Sequence, residues 1–324
     1  MHVAPPPSSR RHPPRSARAL RALADEPVRV FGGPEHALHA ELNAWNRARL
    51  TPGVPSADWE RELERRIAMT RIERAFLESE QRKVAARAAL APTDAAGFVA
   101  WFEDLRQSGP GQWDPLFDFL ATQASFEQVR WFVKQEVAGE AGFEDLVALT
   151  QIKAPERPKL EMARNYWDEM GRGKPAGMHG PLLANLARAL CLGDTPDREL
   201  VWEALALGNM MVGLAAERQY AYHSIGALGV IELTAPTRAR KVADALERIG
   251  LSGKATHYFR LHATVDIGHS RDWNAEILGP IIESHPEVAV HVAEGALMRL
   301  NAGARTFDRY RAVLGIEAPR AQID

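Results

Sequence analysis

The chain is expected to fold as an all-α bundle, and three observations carry that expectation. Apolar residues recur at three- and four-residue steps through long stretches, Gly and Pro cut the text into helix-sized pieces, and few period-two runs compete as strands. Long helices in such a bundle can turn facing side chains into an interior site. The domain boundary is expected near Thr93, with 93–324 as the main domain, 26–92 as an N-terminal helical extension and 1–25 as a disordered tail.

The opening MHVAPPPSSRRHPPRSARAL is rich in Pro, Ser and Arg and has no apolar run, which argues against a secretory signal. Its prolines also spoil the amphipathic helix that an organelle-targeting peptide needs. From Glu35 to about Leu90 the text is charged and Ala-rich. Trp59, Leu63, Ile67, Ile72 and Phe76 recur there at helical spacing, with Pro52, Gly53 and Pro55 as early punctuation and Pro92 after the end. Helices are then expected in DAAGFVAWFEDLR, SFEQVRWFVKQEVAGEAGFEDLVAL, RPKLEMARNYWDEMGRG, PLLANLARALCLG, RELVWEALALGNMMVGLAAERQYAYHSIGALGVIELT, PTRARKVADALERIGL and ATHYFRLHATVDIGHSRDWNAEILGPIIESH. No repeat of fixed period is seen.

A length of 324 residues with 46% hydrophobic content is enough to bury a real core. The formal charge of -2 gives no electrostatic argument for nucleic acid or an anionic membrane as partner. No segment approaches the roughly 20 apolar residues of a membrane span. The single cysteine, Cys191, excludes an intramolecular disulfide, fits a reducing cytoplasm, and reads as a small buried hydrophobe rather than a catalytic thiol. Eight tryptophans read as core packing, because no basic stripe runs beside them. Dinucleotide, Walker and Gly-x-Ser-x-Gly motifs are absent; 171–175, Gly-Arg-Gly-Lys-Pro, lacks the spacing and the Ser or Thr of a phosphate loop.

The chemistry-bearing text is FRLHATVDIGHSRDW. On a helix Asp266 falls roughly 40° from His262, and His269 returns to within about 20° of it, so all three share one face. The triplet spans roughly 10 Å, long for one small ion but suited to two ions about 3.5 to 4 Å apart. A wet polar face is the bland alternative, and more ligands must come from elsewhere. Glu136 and Glu140 lie on the side of the apolar series Val129, Phe132, Val133, Phe143 and Val147, where a carboxylate is costly unless paired or metal-bound. A salt bridge to Lys134 would also explain either. In YWDEMGRGKPAGMHG, Glu169 ends a helix and a Gly-Pro break can fold His179 back toward it, whereas unbroken helix would hold them about 15 Å apart. Glu232 sits in the apolar run ALGVIEL, after Gly226 and Gly229, which allow a neighbouring helix to approach closely. Carboxylates mixed with imidazole suit iron or manganese, and the lack of cysteine clusters argues against structural zinc. The paired Glu-x-x-His signature of ferritin-like di-iron proteins does not occur.

Asp168-Glu169 with His179, then Gly226-Ala-Leu-Gly-Val-Ile-Glu232, then His262-x3-Asp266-x2-His269 together resemble the haem-oxygenase-like di-iron oxidases, the iron-containing redox enzymes, over roughly 126–273. The resemblance implies a haem-oxygenase-like helical bundle in which two Fe ions, cycling between Fe(II) and Fe(III), replace the haem and react with O2 as co-substrate. It implies the ligand set Glu140, Glu169, His179, Glu232, His262, Asp266 and His269, with Glu136 in reserve for Glu140. The Glu-x9-His spacing resembles the branch with an additional carboxylate ligand, which tilts the expected reaction toward N-oxygenation of a small amino-acid-like amine or acid. Oxidative decarboxylation or desaturation of an aliphatic acid is the alternative, and a non-enzymatic haem-oxygenase-like binding protein a further one. An external electron donor and a homodimer are expected from the same resemblance.

Arg260, Arg218 and Arg164 are candidate clamps for a substrate carboxylate, and Tyr222 and His223 candidate cavity residues. Solvated surface cations are the ordinary alternative for the arginines.

Overall fold

The computed structural model describes residues 29–139 and 142–316. Among them the chain is helical, and the only β-pairing is an isolated antiparallel bridge between Met170 and Met178. Two helices come first, α1 (Pro34–Leu50) and α2 (Trp59–Ala88), separated by the Pro-Gly-Pro stretch. α3 (Ala95–Ser108) and α4 (Pro115–Thr122) each begin on an aspartate, Asp94 and Asp114, whose carboxylate accepts a backbone N–H of the first turn. α5 (Phe126–Gly139) and α6 (Phe143–Thr150) follow, then α7 (Glu156–Glu169), α8 (His179–Ala189) and α9 (Trp202–Ala216). The remaining helices are α10 (Ala221–Arg248), α11 (His257–Trp273), α12 (Gly279–Ser284) and α13 (Ala289–Leu314), with a π-helical turn at Asn274–Leu278 between α11 and α12.

α10 is the axis of the molecule, packing along α11 and α13. Its glycines set how close those partners come. A Cβ on Gly226 would lie 1.9 Å from the Val292 carbonyl oxygen, and one on Gly229 would lie 2.5 Å from the Trp273 indole nitrogen. Gly295 of α13 answers from the other side, where a Cβ would lie 1.9 Å from the His223 carbonyl oxygen. Two apolar clusters form around this axis, one with Phe98, Phe102, Leu228 and Trp273, the other with Phe132, Val242, Phe307 and Tyr310.

Several expectations are corrected. α10 continues through Pro236, where a helix end was expected; because proline has no N–H, the Glu232 carbonyl loses its intrahelical donor. The expected single long helix before it instead breaks at 217–220 into α9 and α10. α4 and α13 were not anticipated. In α2, Ile72 and Phe76 pack inward, but Trp59, Leu63 and Ile67 are exposed; the buried stripe runs through Met69, Leu77, Val84 and Ala88 instead. Cys191 is exposed with φ 50°, at the left-handed residue that ends α8, and is not a buried hydrophobe. Of the tryptophans, Trp59, Trp113 and Trp167 are exposed and so are not core packing, while Trp45 and Trp273 are buried.

The first two helices pack on the rest of the chain. His36 meets the Leu200 carbonyl at 3.2 Å, Asn46 donates to Asn209 at 3.0 Å, and Arg305 of α13 reaches Glu80 at 3.0 Å. Leu77, Val84 and Ala88 belong to the same apolar cluster as Trp273. The expected tail, 1–25, lies outside the described residues.

Candidate metal centre

The centre is built from three places along the chain. The first is the end of α7 and the start of α8. Between them, Gly171, Arg172 and Gly173 all take positive φ (62°, 52° and 77°), and a Cβ on Gly171 would come within 2.6 Å of the Gly177 carbonyl carbon. Only a glycine lets the loop close this tightly. The closure pairs Met170 with Met178 and brings His179 Nε2 into direct contact with Glu169 Oε2. The second place is α10, which carries Glu232 deep in the bundle; the third is α11, which carries His262, Asp266 and His269 on one buried face.

Two groups of possible metal ligands result. Glu169, His179 and His262 place one ligand atom each within 4.8 Å of one another, and so do Glu169, Glu232 and His269. Glu169 belongs to both, through its Oε2 in the first and 3.6 Å from His269 Nδ1 through its Oε1 in the second. His179 Nε2 and His262 Nε2 stand 2.5 Å apart, and His269 Nδ1 stands 3.4 Å from Glu232 Oε2. Asp266 is almost wholly buried beside them on the cavity wall, its Oδ1 without a hydrogen-bond partner.

The surrounding contacts orient these groups for coordination. His262 Nδ1 lies 2.6 Å from the Tyr258 carbonyl, so that nitrogen is the protonated one and Nε2 offers its lone pair inward. His269 is turned the other way: Nε2 donates to Asp168 Oδ2 at 3.3 Å, leaving Nδ1 to face Glu169 and Glu232. Asp168 is in turn held by Arg172 at 2.7 Å. Asn165 donates to Glu232 Oε1 at 2.7 Å, fixing that carboxylate while Oε2 stays toward His269. Asp168, Asn165 and Tyr258 were not singled out from sequence as supports. The i−4 spacing of Tyr258 and the i−1 and i−4 spacings of Asp168 and Asn165 to Glu169 are the signal that would have found them.

The electrostatics are those of a site built for added positive charge. Burial and the carboxylates of Glu232 and Glu169 push the Asp266 carboxyl up to about 9. Burial works against a charged His269, but the hydrogen bond and charge of Glu232 lift it to about 10. For Glu169 too burial opposes the charge, and the bonds from His179 and His262 overcome it and hold its carboxyl well below the usual range. Protons therefore stand where cations would relieve the same repulsion. Buried imidazole lone pairs that converge, together with an unpartnered buried carboxylate oxygen, fit a transition metal. Mixed oxygen and nitrogen donors suit iron.

The centre forms one end of a cavity of about 210 Å³, lined by Glu169, His179, Glu232, His262 and Asp266. Away from the metal groups its wall is apolar, with Phe132, Met211, Ile231 and Phe259, and polar again where Glu136, Arg238, Arg299 and Tyr310 meet it. Glu136 is on this wall, accepting from the Tyr310 hydroxyl at 3.1 Å, and belongs to neither ligand group; Lys134 pairs with Glu199 instead of with it. Glu140 lies outside the described residues.

The other sequence candidates fall elsewhere. Arg260 pairs with Glu247 and Asp244 near the surface, Arg218 donates to the Leu149 and Ile152 carbonyls, and Arg164 pairs with Glu161; none lines the cavity. His223 turns away to Glu294 at 3.0 Å, and Tyr222 packs against the core, so neither lines it. The cavity arginines are Arg238 and Arg299, on α10 and α13; nothing in their local sequence marks them, because only the packing of those helices aims them inward.

The sequence profile of a family described as iron-containing redox enzyme matches residues 130–304, more than half of the chain and all of the described candidate ligands. No curated protein matches the chain. Among the described residues, no helix is long and apolar enough to cross a membrane.

Proposed function

The chain belongs to the iron-containing redox enzyme family, and from that premise we propose that it is an O2-dependent, non-haem di-iron oxidase or oxygenase acting on a small amino-acid-like amine or acid. The observation that carries the reading is the pair of buried candidate ligand groups sharing Glu169 on the wall of a cavity. In this reading Glu169, His179, Glu232, His262, Asp266 and His269 hold two Fe ions, with Glu140 as a further ligand. Bound iron supplies the electrons that reduce O2 and the Lewis acidity that polarises it.

The protein's own contribution is positioning and protection. Tyr258 and Asp168 each hold a histidine in the tautomer that coordinates, and Asn165 fixes Glu232. Asp266, the least satisfied of the carboxylates, has an oxygen to give when metal binds and its proton leaves. Phe132, Phe259 and Ile231 give the cavity an apolar wall beside the centre. A volume of about 210 Å³ lies below the roughly 300–1,000 Å³ of drug-sized pockets, which favours a small substrate.

Glu169 as the additional carboxylate favours N-oxygenation. The apolar wall favours the second reading, oxidative decarboxylation or desaturation of an aliphatic acid. A cytoplasmic setting, an external electron donor, a homodimer, and no nucleic-acid or membrane partner complete the proposal.

Anaerobic Fe(II) titration of the metal-free protein, with iron counted per chain, followed by mixing with O2 under visible spectroscopy, tests it. Two irons per chain and an O2-dependent transient absorbance, both lost in Asp266→Ala, are expected. No specific iron binding defeats the reading and leaves a binding protein in its place.

A further inference from the structure

Arg238 is a charge that its described surroundings explain poorly. It lies on α10, six residues beyond Glu232, and lines the same cavity. The side chain is half-buried, facing the cavity rather than open solvent. Among the described residues no carboxylate comes within 4.0 Å of it; its polar contact is a hydrogen bond to Thr234 Oγ1 at 2.9 Å. Phe117 and Phe307 stand 6.0 and 5.6 Å from its carbon centre, at the outer limit of a useful cation–π contact. A second guanidinium, Arg299 from α13, lines the same cavity. Burial, and then the charge of Arg299, push Arg238 down to about 9, the direction expected of a cation in want of an anion. Removing a guanidinium from water costs several kcal/mol unless a counter-charge meets it. Glu136 and, after it, Asp114 are the carboxylates whose charge acts on it, and Tyr310 bonds the first while Arg311 pairs with the second.

We propose that Arg238, with Arg299 beside it, binds the carboxylate of the substrate, so that the molecule lies along α10 with its opposite end against the metal centre. The proposal deepens the oxidase reading and rests on it for the word substrate, but the binding polarity stands on the cavity alone. Six residues of helix separate Arg238 from Glu232 by about 9 Å, which sets the scale of the chain between the anchored carboxylate and the reacting atoms. An aliphatic acid or an ω-amino acid of that length satisfies both ends and the apolar wall between them. The arrangement has a chemical consequence. Oxidation at the far end, at a terminal amine or methylene, is compatible with it, whereas decarboxylation is not, because that reaction needs the carbons next to the carboxylate within reach of the metals.

Calorimetric titration of the full chain with hexanoate, 6-aminohexanoate, hexylamine and hexan-1-ol tests the polarity, in anaerobic Fe(II)-loaded and in metal-free protein. Hexanoate or 6-aminohexanoate is expected to bind at least tenfold more tightly than hexan-1-ol in both forms. Arg238→Met should remove that preference while leaving hexan-1-ol binding unchanged, and Arg238→Lys should restore part of it. The proposal is overturned if neither acid binds, if acid and alcohol bind alike, or if acid binding disappears with the metal and survives Arg238→Met, which would put the carboxylate on iron. Should the variants fail to fold, the wild-type ranking of acid over alcohol, and its persistence without metal, decides by itself. Iron counted on the same samples separates this proposal from the oxidase reading: acid binding without iron defeats only the latter, and iron binding without acid preference only the former.

Discussion

At the scale of single residues, the centre divides into groups that would touch metal and groups that aim them. Asp168 is the clearest of the second kind, because it fixes which nitrogen of His269 faces inward. Asp168→Asn keeps the shape and weakens the acceptor, so iron affinity is expected to fall about 10- to 100-fold with the fold intact, read by competition with a chelator. Glu169→Ala should do more than any other single substitution, since both ligand groups pass through it; iron per chain should fall below one by metal analysis. A residue far from the centre gives a pH prediction. Burial, and then Arg305, push His39 down to about 4 from an ordinary 6.5, with Trp202 stacked on it at 5.7 Å. The unfolded chain therefore binds the extra proton between those values, and the stability from burying neutral His39 is complete above pH 6.5 and lost as pH falls toward 4. At about 1.4 kcal/mol per unit that amounts to about 3 kcal/mol. Denaturant titrations between pH 7 and 4 should show a shallower decline in His39→Gln than in the parent.

At the scale of elements, two glycine contacts have different jobs and should fail differently. Gly226→Ala drives a methyl into the Val292 carbonyl and must push α13 from α10, so a loss of at least 1–3 kcal/mol is expected, measured as a lower Tm. Gly171→Ala strains a positive φ and opens the loop between α7 and α8, which is what presses His179 onto Glu169. Its expected effect is loss of iron binding at a Tm of the metal-free protein little changed. The π-helical turn after α11 is a third such device. Its extra residue re-aims the chain right after Trp273, whose ring fills the space left by Gly229.

At the scale of the whole molecule, the bundle encloses three carboxylates and three histidines, and the histidines only partly offset the burial and mutual repulsion of the carboxylates. Metal relieves that cost in the folded state alone. Fe(II) at 100 times its dissociation constant should therefore stabilise the protein by about 2.7 kcal/mol per site, with Tm rising on loading and falling on chelation, and no such shift in Glu169→Ala. The helices α1 and α2 close one side of the bundle through polar contacts such as Asn46 with Asn209 and Glu80 with Arg305.

Periodicity and punctuation alone established the helical class, and they put the candidate ligands in view, because His262, Asp266 and His269 share a face by helix geometry and a carboxylate such as Glu232 is costly in ALGVIEL without a partner. The Gly-Pro break announced that His179 could return to Glu169, since a turn's backbone is a local property. It took the packing of the bundle to place Pro236 inside a helix, to leave Trp59, Leu63 and Ile67 exposed, and to choose which arginines face the cavity. Arg164, Arg218 and Arg260 sit on or beside the site-bearing helices yet point to surface partners, while Arg238 and Arg299 point inward. Local sequence sets which face of a helix a residue occupies. Which face meets a neighbour, a cavity or water is fixed by the rotation and closeness of helices far apart in the chain, here by the near contact of α10 and α13 at Gly226 and Gly295.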